Sequence, residues 1–196
     1  MENDCLQQLI KSLSKLPGLG YKSAKRIALH MIQNKNEMLQ FNSLINQTLD
    51  QIIACKICHN IDVINPCNIC SDSNRDGSIL CIVETISDLW AIEKSKNYNG
   101  LYHVLGGVLS AIEGKTPENL NISDIEIRAV NSSIDEVIIA TNSTLEGQTT
   151  GHYIAKILES QDIKISRLAN GIPIGADLDY IDDGTLSLAL KLRHKF

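Results

Sequence analysis

Apolar residues in the first part of the chain recur at the spacing of an α-helix. Between residues 4 and 16 they lie three or four positions apart, which places them on one face of a helix. These residues are Leu6, Leu9, Ile10, Leu13 and Leu16. The sequence Pro17-Gly18-Leu19-Gly20 then interrupts the helix with a tight turn. The helical pattern resumes near Tyr21 and again over residues 36–54, so three N-terminal helices are predicted.

Beyond residue 77 the pattern changes to short apolar runs that alternate with helical stretches. Strands are predicted at residues 79–84, 101–107, 136–141 and 164–169, and helices at 87–95, 121–131 and 147–160. The helix at 121–131 is the weakest prediction, because its β-branched residues disfavour a helix. Strands that alternate with helices indicate a parallel sheet with helices on both faces. The predicted fold class is therefore α/β, preceded by a helical unit and followed by a tail with one short helix.

Composition and charge narrow the functional classes. The chain is 43% hydrophobic and 21% charged, which is typical of a globular protein. Its longest apolar runs are the length of a strand, and the start MENDCLQQL has no signal-peptide pattern, so we expect a cytoplasmic protein. A net charge of −5 argues against general coating of nucleic acid. The first 50 residues nevertheless carry six Lys or Arg against four acids, which indicates a local basic surface.

The turn in LPGLGYKSAKRIA could bind an anion. Gly18 and Gly20 allow backbone conformations that a Cβ would obstruct, so the free N–H groups of the following helix can point at one spot. Lys22 and Arg26 share a face of that helix, and Lys25 lies nearby. One interpretation is a plain turn between helices with solvated lysines; the other is a clamp on a phosphate backbone. The segment resembles the helix-hairpin-helix of DNA-binding proteins, which favours the clamp.

Four of the six cysteines fall in one short segment, CKICHNIDVINPCNIC. Cys55 and Cys58 form one C-x2-C pair and Cys67 and Cys70 form another, with eight residues between the pairs. Two such pairs complete a tetrahedral site with no open position, so we expect one structural Zn2+ per chain. Disulfides, or iron in a rubredoxin-like site, are the alternatives. His59 is surplus to the four ligands.

Two carboxylates, Glu84 and Glu146, lie after predicted strands, where open α/β sheets place their ligands. ILCIVE and VIIATNSTLEG resemble the Toprim fold of topoisomerases, primases and related nucleases. In those enzymes a glutamate acts as acid and base, and an Asp-x-Asp holds magnesium. Here Asn142 and Thr144 stand at the Asp-x-Asp positions, and Mg2+ prefers carboxylates. Asp88 is explained by capping of a helix. We therefore expect binding without reaction at this edge of the sheet.

The order of the parts resembles the RecR family of bacterial recombination proteins. LPGLGYKSAKRIALHM, the four-cysteine segment, the Toprim-like segments and the tail GIPIGADLDYIDDGTL follow one another as in that family. The resemblance implies a cytosolic DNA-repair factor that is not a nuclease. It implies a ring-shaped tetramer, formed through the N-terminal helices and exchange of the C-terminal segment. It also implies partners: RecO, and in other contexts RecF, with which such proteins help load RecA onto single-stranded DNA coated with SSB.

The resemblance also assigns roles along the chain. It implies a helix-hairpin-helix domain over residues 1–54, a zinc module and linker over 55–77, a Toprim domain over 78–172 and an exchanged segment over 173–196. The DNA contacts are then Gly18, Gly20, Lys22, Lys25 and Arg26, the zinc ligands are Cys55, Cys58, Cys67 and Cys70, and the RecO surface includes Glu84 and Glu146.

One position departs from the family pattern, since Tyr21 stands where the family often has proline. Two other interpretations of the whole chain stay open at this point. One is a metal-dependent Toprim nuclease or topoisomerase-like enzyme, and the other is an adaptor that binds proteins only and uses the helix-hairpin-helix for self-assembly.

Overall fold

A computed structural model of the chain describes residues 4–131, 134–169 and 171–193. The chain divides after Ile52 into two compact units. The first unit consists of the helices α1 (Asp4–Leu13), α2 (Tyr21–Gln33) and α3 (Lys35–Gln51). The predicted first helix is therefore three residues too long, because the chain turns over Ser14–Leu16 ahead of Pro17.

The core of the first unit is small. Ile10, Ala24 and Ala28 are buried where α1 packs against α2, and Leu6, Leu9 and Leu13 cover them. By contrast, none of the residues of α3, all of which the structure describes, is buried. Its exposed apolar side chains include Leu39, Phe41, Leu44, Ile45 and Leu49. The single chain therefore leaves the apolar side of α3 without a partner among the described residues.

The second unit begins with the four-cysteine segment. Two short antiparallel strands, β1 (Ile53–Ala54) and β2 (Ile61–Asp62), frame the first pair of cysteines. In the second pair, Cys67 is the N-cap residue of the short helix α4 (Asn68–Ser71), and Cys70 lies within this helix. The predicted third helix over residues 36–54 is too long, because α3 ends at Gln51 and Ile53–Ala54 form β1. The elements β2 and α4 were not predicted, since such short elements leave no pattern.

A four-stranded parallel sheet forms the body of the second unit. In chain order its elements are β3 (Asp76–Val83), α5 (Ile86–Ser95), β4 (Gly100–Val104), α6 (Ser123–Asn131), β5 (Glu136–Ala140), α7 (Leu145–Leu158) and β6 (Lys164–Arg167). The strand order is β4-β3-β5-β6, and every neighbouring pair is parallel. The predicted parallel sheet is confirmed, and the doubtful helix at 121–131 is present as α6.

Side chains of β3 point alternately to the two faces of the sheet. Leu80 and Ile82 belong to a core cluster with residues of α6 and α7, such as Ile125 and Ile154. Cys81 and Val83 belong to a second cluster that includes Leu89 of α5, Tyr102 and Val104. Helices thus cover both faces, as an α/β fold requires. The tail carries the last helix, α8 (Asp183–Lys191), as predicted.

Within the described ranges, no helix is long and apolar enough to cross a bilayer.

The core of the sheet unit can be tested with two leucines of one helix. Leu158 of α7 is fully buried, whereas Leu145 of the same helix is 79% exposed. Leu158→Ala should lower the free energy of unfolding by about 2–5 kcal/mol, because it leaves a cavity in the core. Leu145→Ala should change it by less than about 0.5 kcal/mol. Urea denaturation with metal present measures both; equal losses in the two variants would contradict the assigned packing.

Candidate functional site

The predicted DNA clamp lies at the start of α2. Gly18 has a φ of +78°, a conformation that favours glycine, and Gly20 is the N-cap residue of α2. Gly20 has no side chain to cap the helix, and the first turn of α2 contains no acid. The first N–H groups of α2 therefore have neither a side-chain cap nor a carboxylate in the first turn, so the positive end of the helix dipole is not compensated there.

Three cations follow on the exposed side of this helix. Lys22, Lys25 and Arg26 are all exposed, while Ala24 and Ala28 on the other side are buried against α1. Within the described parts of the chain, none of the three cations forms an ion pair. Their charges are thus available to an anion from outside the chain. Tyr21 does not disturb the turn: α2 begins at Tyr21, and its hydroxyl donates to Gln7 at 3.4 Å.

The structure brings the four cysteines of the predicted metal site together. The sulfur atoms of four cysteines all lie within 4.8 Å of one another: Cys55, Cys58, Cys67 and Cys70. The first three of these residues are buried. The backbone supplies this geometry: the N–H of Cys55 donates to the carbonyl of Asn60, and the N–H of His59 donates to that of Cys55. His59 adopts a φ of +61°, which closes the tight loop around the first pair of cysteines.

The chemistry of these thiols fits a bound cation. Burial opposes ionisation of Cys55, but N–H groups of Cys67, Cys58 and Ile57 outweigh it and lower the pKa of its thiol to about 7. Burial raises the pKa of Cys67 to about 11, and the pKa of Cys58 is raised by its hydrogen bond to Cys70 and by burial. Four crowded sulfurs cannot all ionise beside one another unless a cation compensates their charge. Four sulfur donors without an open position suit a structural ion.

Sequence reasoning missed two residues that support this site. Asp124 of α6 accepts a hydrogen bond from the ring Nε2 of His59 at 3.0 Å. His59 is therefore not part of the sulfur cluster but connects its loop to α6. Arg128, one helical turn later, donates to the carbonyl of Ile57 at 3.5 Å. These residues lie more than 60 positions from the first pair of cysteines in sequence, and no local pattern connects the two segments.

At the Toprim-like edge, Glu84 is only 7% exposed. Its Oε1 accepts a hydrogen bond from the backbone N–H of Asn142, and its Oε2 accepts one from the side-chain amide of the same residue, both at 2.7 Å. Gly147 packs closely against this pair, since a Cβ there would lie 2.7 Å from Oε1. The strands β3 and β5 are adjacent, so the residues that follow them lie at the same edge of the sheet, where Glu84 is held by Asn142.

The other residues of this edge also have structural partners. The hydroxyl of Thr144 accepts from the N–H of Gly147 and caps α7. Asp88 accepts from the N–H of Thr85 and completes a capping box at the start of α5, as expected. Glu146 lies in the first turn of α7 and is half-buried. At the two positions where the resemblance places an Asp-x-Asp, Asn142 and Thr144 thus offer an amide and a hydroxyl, and both are engaged within the chain.

Family models match three parts of the chain. A Toprim domain matches residues 78–169, a domain described as "RecR, helix-hairpin-helix" matches residues 6–49, and one described as "RecR, C-terminal" matches residues 171–194. The chain is also similar over its full length to curated proteins. It is 53% identical to "Recombination protein RecR" of Rickettsia massiliae over 100% of this chain and 97% of that protein. It is 49% identical to the protein of the same name from Anaplasma phagocytophilum, over 96% of this chain and 98% of that protein.

The pairing of Glu84 with Asn142 makes a testable prediction. In Asn142→Asp, two carboxylates face each other, which raises the pKa of one of them above its unfolded value. The variant should therefore lose about 1–3 kcal/mol of stability at neutral pH. This loss should grow as pH rises through the raised pKa and shrink on acidification. Thermal unfolding at several pH values, with and without Mg2+, measures the effect; Mg2+ should restore part of the stability.

Asn142→Leu is the matched control, because it removes the same amide without adding a charge. Its stability should not respond to Mg2+, and its pH dependence should be smaller than that of Asn142→Asp, because Glu84 loses one hydrogen bond but gains no like charge. If Asn142→Asp behaved in the same way as Asn142→Leu, the two carboxyl groups would not be in contact and the assigned pairing would be wrong.

Proposed function

Because the chain belongs to the RecR family of recombination proteins, we propose that it is a DNA-binding mediator of recombinational repair and not an enzyme. The observation that carries the proposal is the unpaired basic face at the start of α2, on a helix-hairpin-helix turn. Exposed cations beside free helix N–H groups suit the phosphate backbone and offer no means of reading bases. Binding is therefore independent of sequence and applies to single- and double-stranded DNA.

Within this proposal Gly18 and Gly20 shape the turn, and Lys22, Lys25 and Arg26 contact phosphates. The division of labour along the chain is a DNA-binding domain at 1–54, a metal module at 55–77, a Toprim domain at 78–172 and an exchanged segment at 173–196. Thiolates at the metal module require a reducing compartment, which supports a cytoplasmic site of action.

The Toprim edge supports a non-catalytic role. A metal ion at Glu84 would have to displace two hydrogen bonds from Asn142, and Thr144 is already engaged as a helix cap. Glu146 instead lines an open pocket of about 500 Å3, together with Leu145 and Ile112, which are 79% and 93% exposed. An acid beside exposed apolar side chains is suited to a protein partner with a basic residue. We assign this surface to RecO, with Glu84 holding the loop that presents Glu146.

With RecO, and in other contexts RecF, the protein helps load RecA onto single-stranded DNA coated with SSB. Assembly into a tetrameric ring would cover two apolar surfaces of the single chain. One is the exposed side of α3 that carries Phe41, Leu44 and Ile45. The other is the tail, where Ile174 and Tyr180 are almost fully exposed, in line with a segment exchanged between subunits.

Charge reversal tests the DNA contacts. In the double variant Lys22→Glu, Arg26→Glu we expect at least about tenfold weaker DNA binding at low salt. The salt dependence should also become shallower, by a slope of about 0.9 for each lost phosphate contact. Fluorescence anisotropy with a labelled oligonucleotide at several NaCl concentrations measures both effects. Incubation of the same DNA with Mg2+ or Mn2+ should leave it intact; a nicked product that disappears in Glu84→Ala would identify an enzyme instead.

Lys94→Glu with Lys96→Glu is the control, because it makes the same change of charge at the end of α5. This variant should bind DNA nearly as well as the wild type. Equal losses in the two double variants would show a general charge effect and overturn the contacts proposed for α2.

We propose that zinc is the metal and that each chain holds one ion through Cys55, Cys58, Cys67 and Cys70. Elemental analysis of the purified protein should find one zinc per chain, and a chelator should lower the melting temperature, because the ion binds only the folded site. Cys67→Ser should lose the metal, whereas Cys5→Ser, at an exposed cysteine outside the cluster, should keep it. Stoichiometric iron, or disulfides within the cluster, would contradict the assignment.

A further inference from the structure

Helix α6 lies against the loop that carries the first pair of cysteines. Asp124 and Arg128 are one helical turn apart, so they share the face of α6 that meets this loop. Asp124 accepts a hydrogen bond from His59 at 3.0 Å, and Arg128 donates to the carbonyl of Ile57 at 3.5 Å. The residues that they contact flank Cys58 on both sides. One helix therefore holds the residues on either side of a cysteine of the metal site, one through its ring and the other through its backbone carbonyl.

Arg128 also ties the same loop to the sheet. It is only 9% exposed, and its Nη1 donates to the carbonyl of Tyr102 in β4 at 2.5 Å. Two residues further along that strand, the N–H of Val104 donates to the carbonyl of Cys58 itself at 2.9 Å. Removal of the Arg128 side chain would leave two carbonyls without this donor in a largely buried region, which is costly. The cysteine loop, α6 and β4 thus form one hydrogen-bonded group.

On its own, α6 is a weak helix. It spans nine residues, SDIEIRAVN, of which three are β-branched apolar residues. Short helices of this composition are not stable without tertiary contacts. The contacts available to α6 are the core packing of Ile125 and Ala129 and the polar contacts of Asp124 and Arg128 with the cysteine loop. A fixed cysteine loop therefore adds to the stability that α6 gains from its core packing.

We propose that metal binding at the four cysteines and the ordering of α6 are coupled, with Asp124 and Arg128 as the positioning residues that connect them. The inference rests on the proposed metal site but goes beyond it, because it makes the ion part of the larger sheet unit. Coupling is reciprocal: metal binding stabilises α6, and an intact α6 tightens metal binding. Residues that orient the ligands of a metal typically contribute 10–100-fold to its affinity.

Core contacts connect α6 with helix α7 of the same unit. Ile122 and Ile125 pack in the same core cluster as Ile154 and Leu158 of α7. Glu126, on another face of α6, lines an open groove of about 490 Å3 together with Tyr153 of α7. Loss of the metal would therefore loosen one wall of this groove and the support of α7, whose first turn carries Glu146.

Zinc affinity of full-length variants provides the first test. Competition with a chromogenic chelator, 4-(2-pyridylazo)resorcinol, should find about 10–100-fold weaker zinc binding in Asp124→Ala and in Arg128→Ala. Glu126→Ala is the matched control, since it removes a charged side chain of the same helix that faces the groove and not the cysteine loop. Affinities of all three variants equal to that of the wild type would overturn the proposal, as would an equal loss in Glu126→Ala.

Hydrogen exchange of the wild-type chain provides a second test that does not depend on whether a variant folds. Removal of zinc should speed exchange of the α6 amides at least about tenfold. Amides of α5, on the opposite face of the sheet, should change much less. Equal changes in α5 and α6, or no change in α6, would overturn the coupling. A chain that binds no zinc at all would instead refute the metal site, so the two failures are distinguishable.

Discussion

The larger unit depends on the burial of β3 on both faces of the sheet. Leu80 and Ile82 are buried on one face, and Cys81 and Val83 on the other, so a slip by one residue would exchange the two sets. The fixed register places Val83 opposite both Val104 and Ala140. It consequently brings Glu84, the next residue, to the same edge as the loop after β5. The contact between Glu84 and Asn142 is thus a consequence of core packing.

That contact decides what the edge of the sheet can do. A buried carboxylate is costly unless hydrogen bonds or a cation compensate it. Here one asparagine supplies both donors through its backbone and its amide, so the charge of Glu84 is stabilised within the chain itself. The same loop continues into Thr144 as the cap of α7. A position that could recruit a metal in a catalytic Toprim domain therefore fixes the loop ahead of Glu146 in this chain.

The sequence predicted those features of the structure that depend on residues close together in the chain. Short apolar runs and helical periodicity predicted the strands and helices of the sheet unit. The two C-x2-C pairs predicted the sulfur cluster that the structure brings together. The contacts of Asp124 and Arg128 could not be predicted, because they join segments more than 60 residues apart that meet only after the sheet forms. The burial of Glu84 was missed for a similar reason, since it depends on Asn142 and Gly147 from another strand connection.

The first unit has a different balance of forces. Its core contains three buried side chains, Ile10, Ala24 and Ala28, two of which are alanines that bury little area. Helical units of about 50 residues bury a limited fraction of their surface and are marginally stable alone. In the proposed assembly, burial of the exposed apolar side chains of α3 would add to the stability of this unit. Since the proposed DNA contacts lie on the neighbouring helix α2, the proposed association would stabilise those contacts as well.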